Sequence, residues 1–290
     1  MIISGVEIAT QIKTEIREAI LQKCRERRPT LAVVLVGDNP ASLTYVGAKT
    51  KACKEVGIIT IDIKLPKTTT EKELLHYVDK LNDDPEVDGI LMQVPLPSHI
   101  DENRIVESIL PEKDIDGFHP QNLGKLLLGL DTGFIPCTPL GIKILLERSS
   151  LSIEGKHVVI LGRSHIVGKP LANLLMQKKP GCNATVTVAH TKTLHLKEIS
   201  KSADILVAAM GSPLFVKKEM VKEGAIVIDV GNNRITDPST SKGYRLVGDV
   251  DFKDVAPLCR AITPVPGGVG PMTVACLLHN TLQSRLKRSQ

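Results

Sequence analysis

A two-domain α/β protein, with a parallel sheet flanked by helices in each domain, is the fold class this sequence predicts. Its 290 residues exceed one typical domain and leave each half enough chain to bury a core. Short apolar runs of strand character alternate with stretches of helical period, and helices set between strands favour parallel, covered sheets. The alternation pauses around 130–150 and then starts again, which places the domain boundary there.

The elements follow in order. Ile8, Ile12, Ile16 and Ile20 recur at helical spacing, and Pro29 stops that helix. "LAVVLVG" (31–37) reads as a buried strand, "DNPAS" (38–42) as a turn, and the next helix runs to Gly57. Ile59, Ile61 and Ile63 alternate with polar residues as in a strand. Thr70 and Glu73 form a capping box, and "VDGILMQVPLP" (87–97) is a third strand cut off by prolines. Thr138 as N-cap and Pro139 at the first helical position open a helix over 138–149. The second series has strands at 157–162, 184–190, 204–211 and 225–231, helices at 168–179 and 194–203, and a short helix around 216–222. Residues 232–247 are polar and turn-rich, and 270–287 form the last helix.

Composition narrows the function. Hydrophobic residues at 42% and charged residues at 24% describe a globular chain rather than a disordered one. The net charge of +5 includes no block of five like charges, and "RERR" (25–28) suits the C-terminal end of a helix dipole. Three Tyr, four Phe and no Trp leave no stacking platform for single-stranded nucleic acid, whereas a mild positive balance suits small anions. No apolar run approaches the roughly 18 residues of a membrane span, and "MIISGVEIATQ" has no signal-peptide pattern. The six cysteines form no C-x-x-C pair and read as reduced core residues of a cytoplasmic protein. Cys276 with His279 comes nearest to metal-ligand spacing, but nothing completes a set, so no metal is expected.

"VVILGRSHIVGKP" (158–170) runs strand, tight turn, helix, a context in which backbone N–H groups face a phosphate. The spacing departs from G-x-G-x-x-G: Ser164 stands at the second glycine and Gly168 comes one residue late. The next strand ends "AHTKT" (189–193), with no carboxylate for a ribose 2′-hydroxyl, while Arg163 and Lys192 would accept a 2′-phosphate. That favours NADP over NAD. His190 closes the strand, with or without a part in the site.

In the first half, Tyr45 and Lys49 share a helix face at i, i+4 and Lys51 points elsewhere. Asp114 and Asp116 lie in "KDIDGFHP" (113–120), where aspartate is also ordinary turn chemistry. Taken in chain order, "GDNPASLTYVGAKTKA", "QVPLP", "KDIDGFHP", "GRSHIVGKP", "VIDVGNNR" and "TPVPGGVGPMT" resemble the successive signatures of methylenetetrahydrofolate dehydrogenase/cyclohydrolase, over roughly residues 4–285. The sequence departs from the usual pattern at Thr191, where serine is common, and at Asn232, where an apolar residue is usual.

The resemblance implies a folate-binding catalytic domain of residues 1–138 plus 270–290, a Rossmann-like NADP-binding domain of 139–269, an active-site cleft between them, and a homodimer. It implies NADP-dependent oxidation of 5,10-methylenetetrahydrofolate to the methenyl compound, then hydrolysis to 10-formyltetrahydrofolate. The catalytic residues carried over are Lys49, Gln93, Tyr45 and Asp116; Tyr45, Gln93 and Asp116 would also contact substrate, as would Gly267, Gly268 and Pro271. Gly162, Arg163, Ser164, Thr191 and Asn232 fall on cofactor contacts. The chemistry suits these residue types. A carboxylate accepts two parallel N–H bonds from a pterin edge, and a tyrosine ring stacks on its face. Hydride transfer asks for positioning rather than a base, whereas hydrolysis moves protons and gives Lys49, aimed by Gln93, its task. A two-domain oxidoreductase of the shikimate or amino-acid dehydrogenase kind has no reason to carry "PGGVGPMT". A catalytically silent folate-binding relative has no reason to keep both Lys49 and Asp116.

Overall fold

The computed structural model describes residues 1–240 and 243–288. The chain divides into two units: Thr10–Cys137 with Val274–Gln290, and Met1–Ala9 with Thr138–Thr273.

The first unit contains most of α1 (Gly5–Lys23), then β1 (Thr30–Val36), α2 (Pro40–Val56), β2 (Ile59–Leu65), α3 (Glu71–Asp83), β3 (Gly89–Met92), α4 (Glu102–Ser108) and α5 (Pro120–Leu127). Its sheet has the order β2-β1-β3, all parallel. Central β1 is buried at every position, as a strand covered on both faces must be. Ala32, Val34, Ile90 and Met92 pack with Leu74, Val78 and Leu81 of α3 and Ile105 of α4 in one core. The capping box is formed: Glu73 N–H donates to Thr70 Oγ1 at 3.2 Å, and Thr70 N–H donates to Glu73 Oε2 at 2.8 Å.

Two features depart from the sequence reading. Helix α1 ends at Lys23, so Arg27 does not complement its dipole. Arg27 instead grips both oxygens of fully buried Asp88 at 2.6 and 2.9 Å, and Asp88 also accepts Thr30 N–H at 2.9 Å, tying the start of β1 to the start of β3. Helices α4 and α5, of 7 and 8 residues, are too short to show a period; Asp101 caps the first and the His119 ring caps the second.

The second unit contains α6 (Cys137–Arg148), β4 (His157–Leu161), α7 (Gly168–Leu175), β5 (Thr185–Ala189), α8 (Leu196–Lys201), β6 (Ile205–Ala208), β7 (Ile226–Asp229), β8 (Asn233–Thr236), β9 (Tyr244–Val247), α9 (Phe252–Val255), β10 (Ala261–Ile262) and the start of α10 (Val269–Lys287). The main sheet is parallel with order β10-β7-β6-β4-β5. The chain steps from β4 to β5 on one side and then returns to place β6 on the other side of β4, which makes the β4–β6 junction a topological switch point.

Residues 1–9, expected with the first unit, fall in the second. Ile3 N–H donates to Ile262 O at 2.9 Å and Ile262 N–H to Met1 O at 3.0 Å, extending the sheet beyond β10. Gly5 lies so close to the Gly268 carbonyl that a Cβ would collide with it. The last boundary falls after Thr273 rather than before residue 270. Thr138 does not cap α6, which starts at Cys137; its hydroxyl pairs with that of Thr273 at 2.9 Å. The expected helix around 216–222 is a single 3₁₀ turn, Lys218–Met220. Within 232–247, β8 and β9 form an antiparallel pair, with the Arg234 guanidinium 4.7 Å from the Tyr244 ring centre; residues 241 and 242 lie outside the described residues. Among the described residues no helix is long and apolar enough to cross a membrane.

Candidate active site

In the first unit, β3 runs directly into Gln93, whose N–H donates to Val34 O at 2.9 Å and prolongs the β1–β3 ladder. The side chain is buried, and its Nε2 donates to Val94 O at 2.7 Å. The amide oxygen is thereby turned toward Lys49, whose Nζ donates to it at 3.2 Å. An ammonium only donates, so both bonds fix the same amide orientation. Lys49 is half-buried on α2, whereas Lys51 is exposed. Tyr45, one turn earlier on the Lys49 face, keeps 44% of its surface exposed.

Residues 113–116 run along the other edge of β3: Ile90 N–H donates to Lys113 O at 2.8 Å, and Ile90 bridges to Asp114. The two aspartates of this loop then part company. Asp114 is buried and accepts Phe118 N–H at 3.2 Å, His119 N–H at 2.8 Å and Asn122 Nδ2 at 2.8 Å, which makes it the residue that closes the turn. Asp116 accepts no hydrogen bond among the described residues. Although the residue keeps some surface, burial pushes its carboxyl up to about 6, against the opposing pull of the Lys49 cation. Lys49, Gln93 and Asp116 therefore gather at the carboxyl end of one parallel sheet. Nearby thiols are not nucleophiles: burial pushes Cys53 up to about 12 and holds Cys137 well above the ordinary thiol range.

In the second unit, Gly162 follows β4 with φ +120°, and its N–H donates to Ala189 O at 2.8 Å. A Cβ there would collide with the carbonyl oxygen of Ala209, just beyond β6, so the switch point closes only around glycine. Ser164 Oγ accepts Val167 N–H at 3.1 Å and Gly168 N–H at 3.4 Å, capping the start of α7. Arg163 stands exposed beside it. After β5, His190 Nδ1 accepts Lys192 N–H at 3.2 Å and Thr193 Oγ1 accepts His190 N–H at 2.9 Å. His190 thus has a structural part, in a carboxylate-free turn that exposes Thr191 and Lys192. Asn232 is exposed two residues past Val230. Gly268 lies against Pro264 and Thr263 so tightly that a side chain would not fit, Gly267 has φ +107°, and Pro271 is half-buried in the first turn of α10.

Sequence reasoning missed Asp229 and Asp249, both buried. Asp229 accepts the N–H groups of Gly231, Asp249 and Val250, and Asp249 accepts those of Met210 and Gly211 together with Asn233 Nδ2. They lock the ends of β6 and β7 to the turn after β9. Burial pushes Asp229 up to about 6 despite its three N–H partners. The signal was an aspartate ending an apolar strand, "AIVID", which asks for a partner. Among the described residues, no three His, Cys, Asp or Glu side chains cluster as a metal site would require.

A dinucleotide-type sheet with a carboxylate-free turn after β5, in a chain whose other sheet presents an amine, an amide and a carboxylate at one end, defines a two-domain oxidoreductase. The family model described as tetrahydrofolate dehydrogenase/cyclohydrolase, catalytic domain, matches residues 3–116, and that of its NAD(P)-binding domain matches 136–289. The chain belongs to the tetrahydrofolate dehydrogenase/cyclohydrolase family. It is 58% identical over 288 residues to the bifunctional protein FolD of Protochlamydia amoebophila, covering 99% of this chain and 98% of that one. The crystal structure of the FolD methylenetetrahydrofolate dehydrogenase/cyclohydrolase of Campylobacter jejuni superposes with a TM-score of 0.94 at 47% identity, over 99% of both chains. The Trypanosoma brucei enzyme, complexed with NADP cofactor and inhibitor, gives 0.93 at 41% identity, over 100% of this chain and 98% of its own.

Proposed function

We propose that this chain oxidises 5,10-methylenetetrahydrofolate with NADP and hydrolyses the 5,10-methenyl product to 10-formyltetrahydrofolate. The observation that carries this is the convergence of Lys49, Gln93 and Asp116 at one sheet end, with the Asp116 oxygens accepting nothing from the described residues. An ionised Asp116 accepts a pair of pterin N–H bonds, and the Tyr45 ring offers a face for stacking. Gly267, Gly268 and Pro271 contribute backbone contacts to the substrate.

NADP fits the second unit on one local observation: the turn after β5 holds Thr191 and Lys192 but no carboxylate. Gly162, Arg163, Ser164, Thr191 and Asn232 would hold it, with Lys192 on the 2′-phosphate. Bound there, NADP supplies the hydride acceptor. In hydrolysis, water adds to the amidinium carbon and loses one proton to Lys49 in its neutral amine form; the C–N bond to one ring nitrogen then breaks as the new carbonyl forms, and the remaining hydroxyl proton passes to that nitrogen. Gln93 holds the amine in line through its Oε1. We also assign the chain a homodimeric state from the family resemblance, and a cytoplasmic location. Six cysteines, none in a disulfide among the described residues and five of them buried, suit a reducing compartment.

The test mixes purified protein with methylenetetrahydrofolate and either NADP or NAD, following reduced nicotinamide and methenyl absorbance together. Reduction with NADP and passage of methenyl to formyl product are expected; no reduction with either nucleotide would sink the reading.

Asp116 adds a pH signature. The carboxyl must be ionised to accept both N–H bonds, so KM for the folate should rise about tenfold per pH unit below about 6. Asp116→Asn should raise KM by about 10–100-fold at neutral pH and flatten that acid limb. Stability moves the other way. A carboxyl whose folded pKa lies above its usual 3.8 loses stability as pH rises between the two values, so the asparagine variant should melt higher than wild type above pH 6. A variant with wild-type KM would remove Asp116 from the site.

A further inference from the structure

The backbone just before Asp116 is held by a residue distant in sequence. Asn280, on α10 and buried, donates from Nδ2 to Ile115 O at 2.8 Å and to Ile135 O at 3.2 Å. Ile115 immediately precedes Asp116, and its carbonyl also receives the Cys137 thiol at 3.4 Å. The amide nitrogen of Asn280 lies 3.7 Å from that sulfur, so the group is one buried knot. One turn on, Ser284 Oγ contacts Glu112 O at 2.8 Å and Asp88 O at 2.6 Å. One face of α10 therefore braces the 112–116 segment at two points, and the Asn280 brace is the one adjoining the carboxylate.

We propose that Asn280 is a positioning residue of the folate site: by fixing the carbonyl that precedes Asp116, its amide fixes where that carboxylate points. The proposal rests on the reading of Asp116 as the pterin acceptor. A purely structural account also exists, since a buried amide needs partners wherever it lies. The two accounts differ in coupling. Positioning through Asp116 requires the effect of losing Asn280 to vanish once Asp116 can no longer act, whereas a structural loss is indifferent to Asp116.

The experiment measures KM and kcat with methylenetetrahydrofolate, NADP affinity and melting temperature for Asn280→Ala, Ser284→Ala, Asp116→Asn and the double variant N280A/D116N. Asn280→Ala should raise KM about tenfold, with kcat and NADP affinity within about twofold of wild type. Ser284→Ala should lower the melting temperature without the KM change. Adding N280A to D116N should leave KM where D116N alone put it. A lowered melting temperature with wild-type KM, or KM effects that simply multiply in the double variant, would overturn the proposal. If Asp116→Asn itself leaves KM unchanged, the Asp116 reading fails instead, which separates the two. Should the alanine variant not fold, Asn280→Ser, which keeps one donor, carries the same comparison with a smaller expected rise of about threefold.

Discussion

Replacing Lys49 with methionine should slow hydrolysis of methenyltetrahydrofolate by about 10²–10⁴-fold and leave NADP binding intact. Methionine keeps the length and apolar stem of a half-buried side chain, so the packing along α2 survives and only the amine is lost. The direct structural penalty is one partner of the buried Gln93 amide, a cost of about 1 kcal/mol. A second consequence has a definite sign. The Lys49 cation pulls the Asp116 carboxyl down, so without it the carboxyl should titrate above its present value of about 6. The acid limb of the folate KM should therefore move to higher pH in Lys49→Met. Lys49→Arg separates charge from proton transfer: the guanidinium keeps the cation and the acid limb, but cannot give up its proton near neutral pH, so hydrolysis should stay lost. Methenyl absorbance and an NADP titration report both variants. Hydrolysis at the wild-type rate in Lys49→Met would take the lysine out of the mechanism.

How much of this was legible in the sequence varies with the range of the interaction. The strands, the Thr70–Glu73 capping box and the Tyr45–Lys49 helix face are local patterns, and local patterns survive translation into text. Nothing local links Lys49 to Gln93, 44 residues away, or to Asp116; the parallel sheet does that by bringing successive strand ends to one edge. The resemblance of six ordered motifs therefore named those residues before any spacing argument could. What stayed hidden was polar chemistry whose partners are backbone atoms of remote segments. Asp114 and Asp116 look alike in "KDIDGFHP", yet one takes two loop N–H groups and the Asn122 amide, and the other takes none of the described ones. Ser164 stands where a glycine would approach phosphate, yet its hydroxyl caps α7. The first residues, "MIIS", have no nearby partner and find one at Ile262.

Lys113→Met should cause the largest loss of stability. Only 2% of the Lys113 residue is exposed. Its Nζ donates to Leu81 O at 2.8 Å, Asn82 O at 2.6 Å and Asp84 O at 2.7 Å, so all three ammonium hydrogens are used. These carbonyls belong to the end of α3, where a helix leaves acceptors without intrahelical donors and where its dipole favours a cation. Burial lowers the lysine pKa, which marks the cost of holding the charge there; the three bonds offset it. Methionine fills the space of the lysine stem but leaves three carbonyls, one buried and two part-buried, without their donor, for an expected loss of about 3–5 kcal/mol in urea unfolding. The pH dependence distinguishes this from a simple packing defect. Because the folded lysine titrates below its usual 10.5, the native state binds fewer protons than the unfolded one as pH rises toward that value, and wild-type stability gains from this group. Methionine has no such gain, so the gap between the two proteins should widen from neutral to alkaline pH. A loss under about 1 kcal/mol, or a gap that closes with rising pH, would mean that the α3 carbonyls find other donors without the lysine.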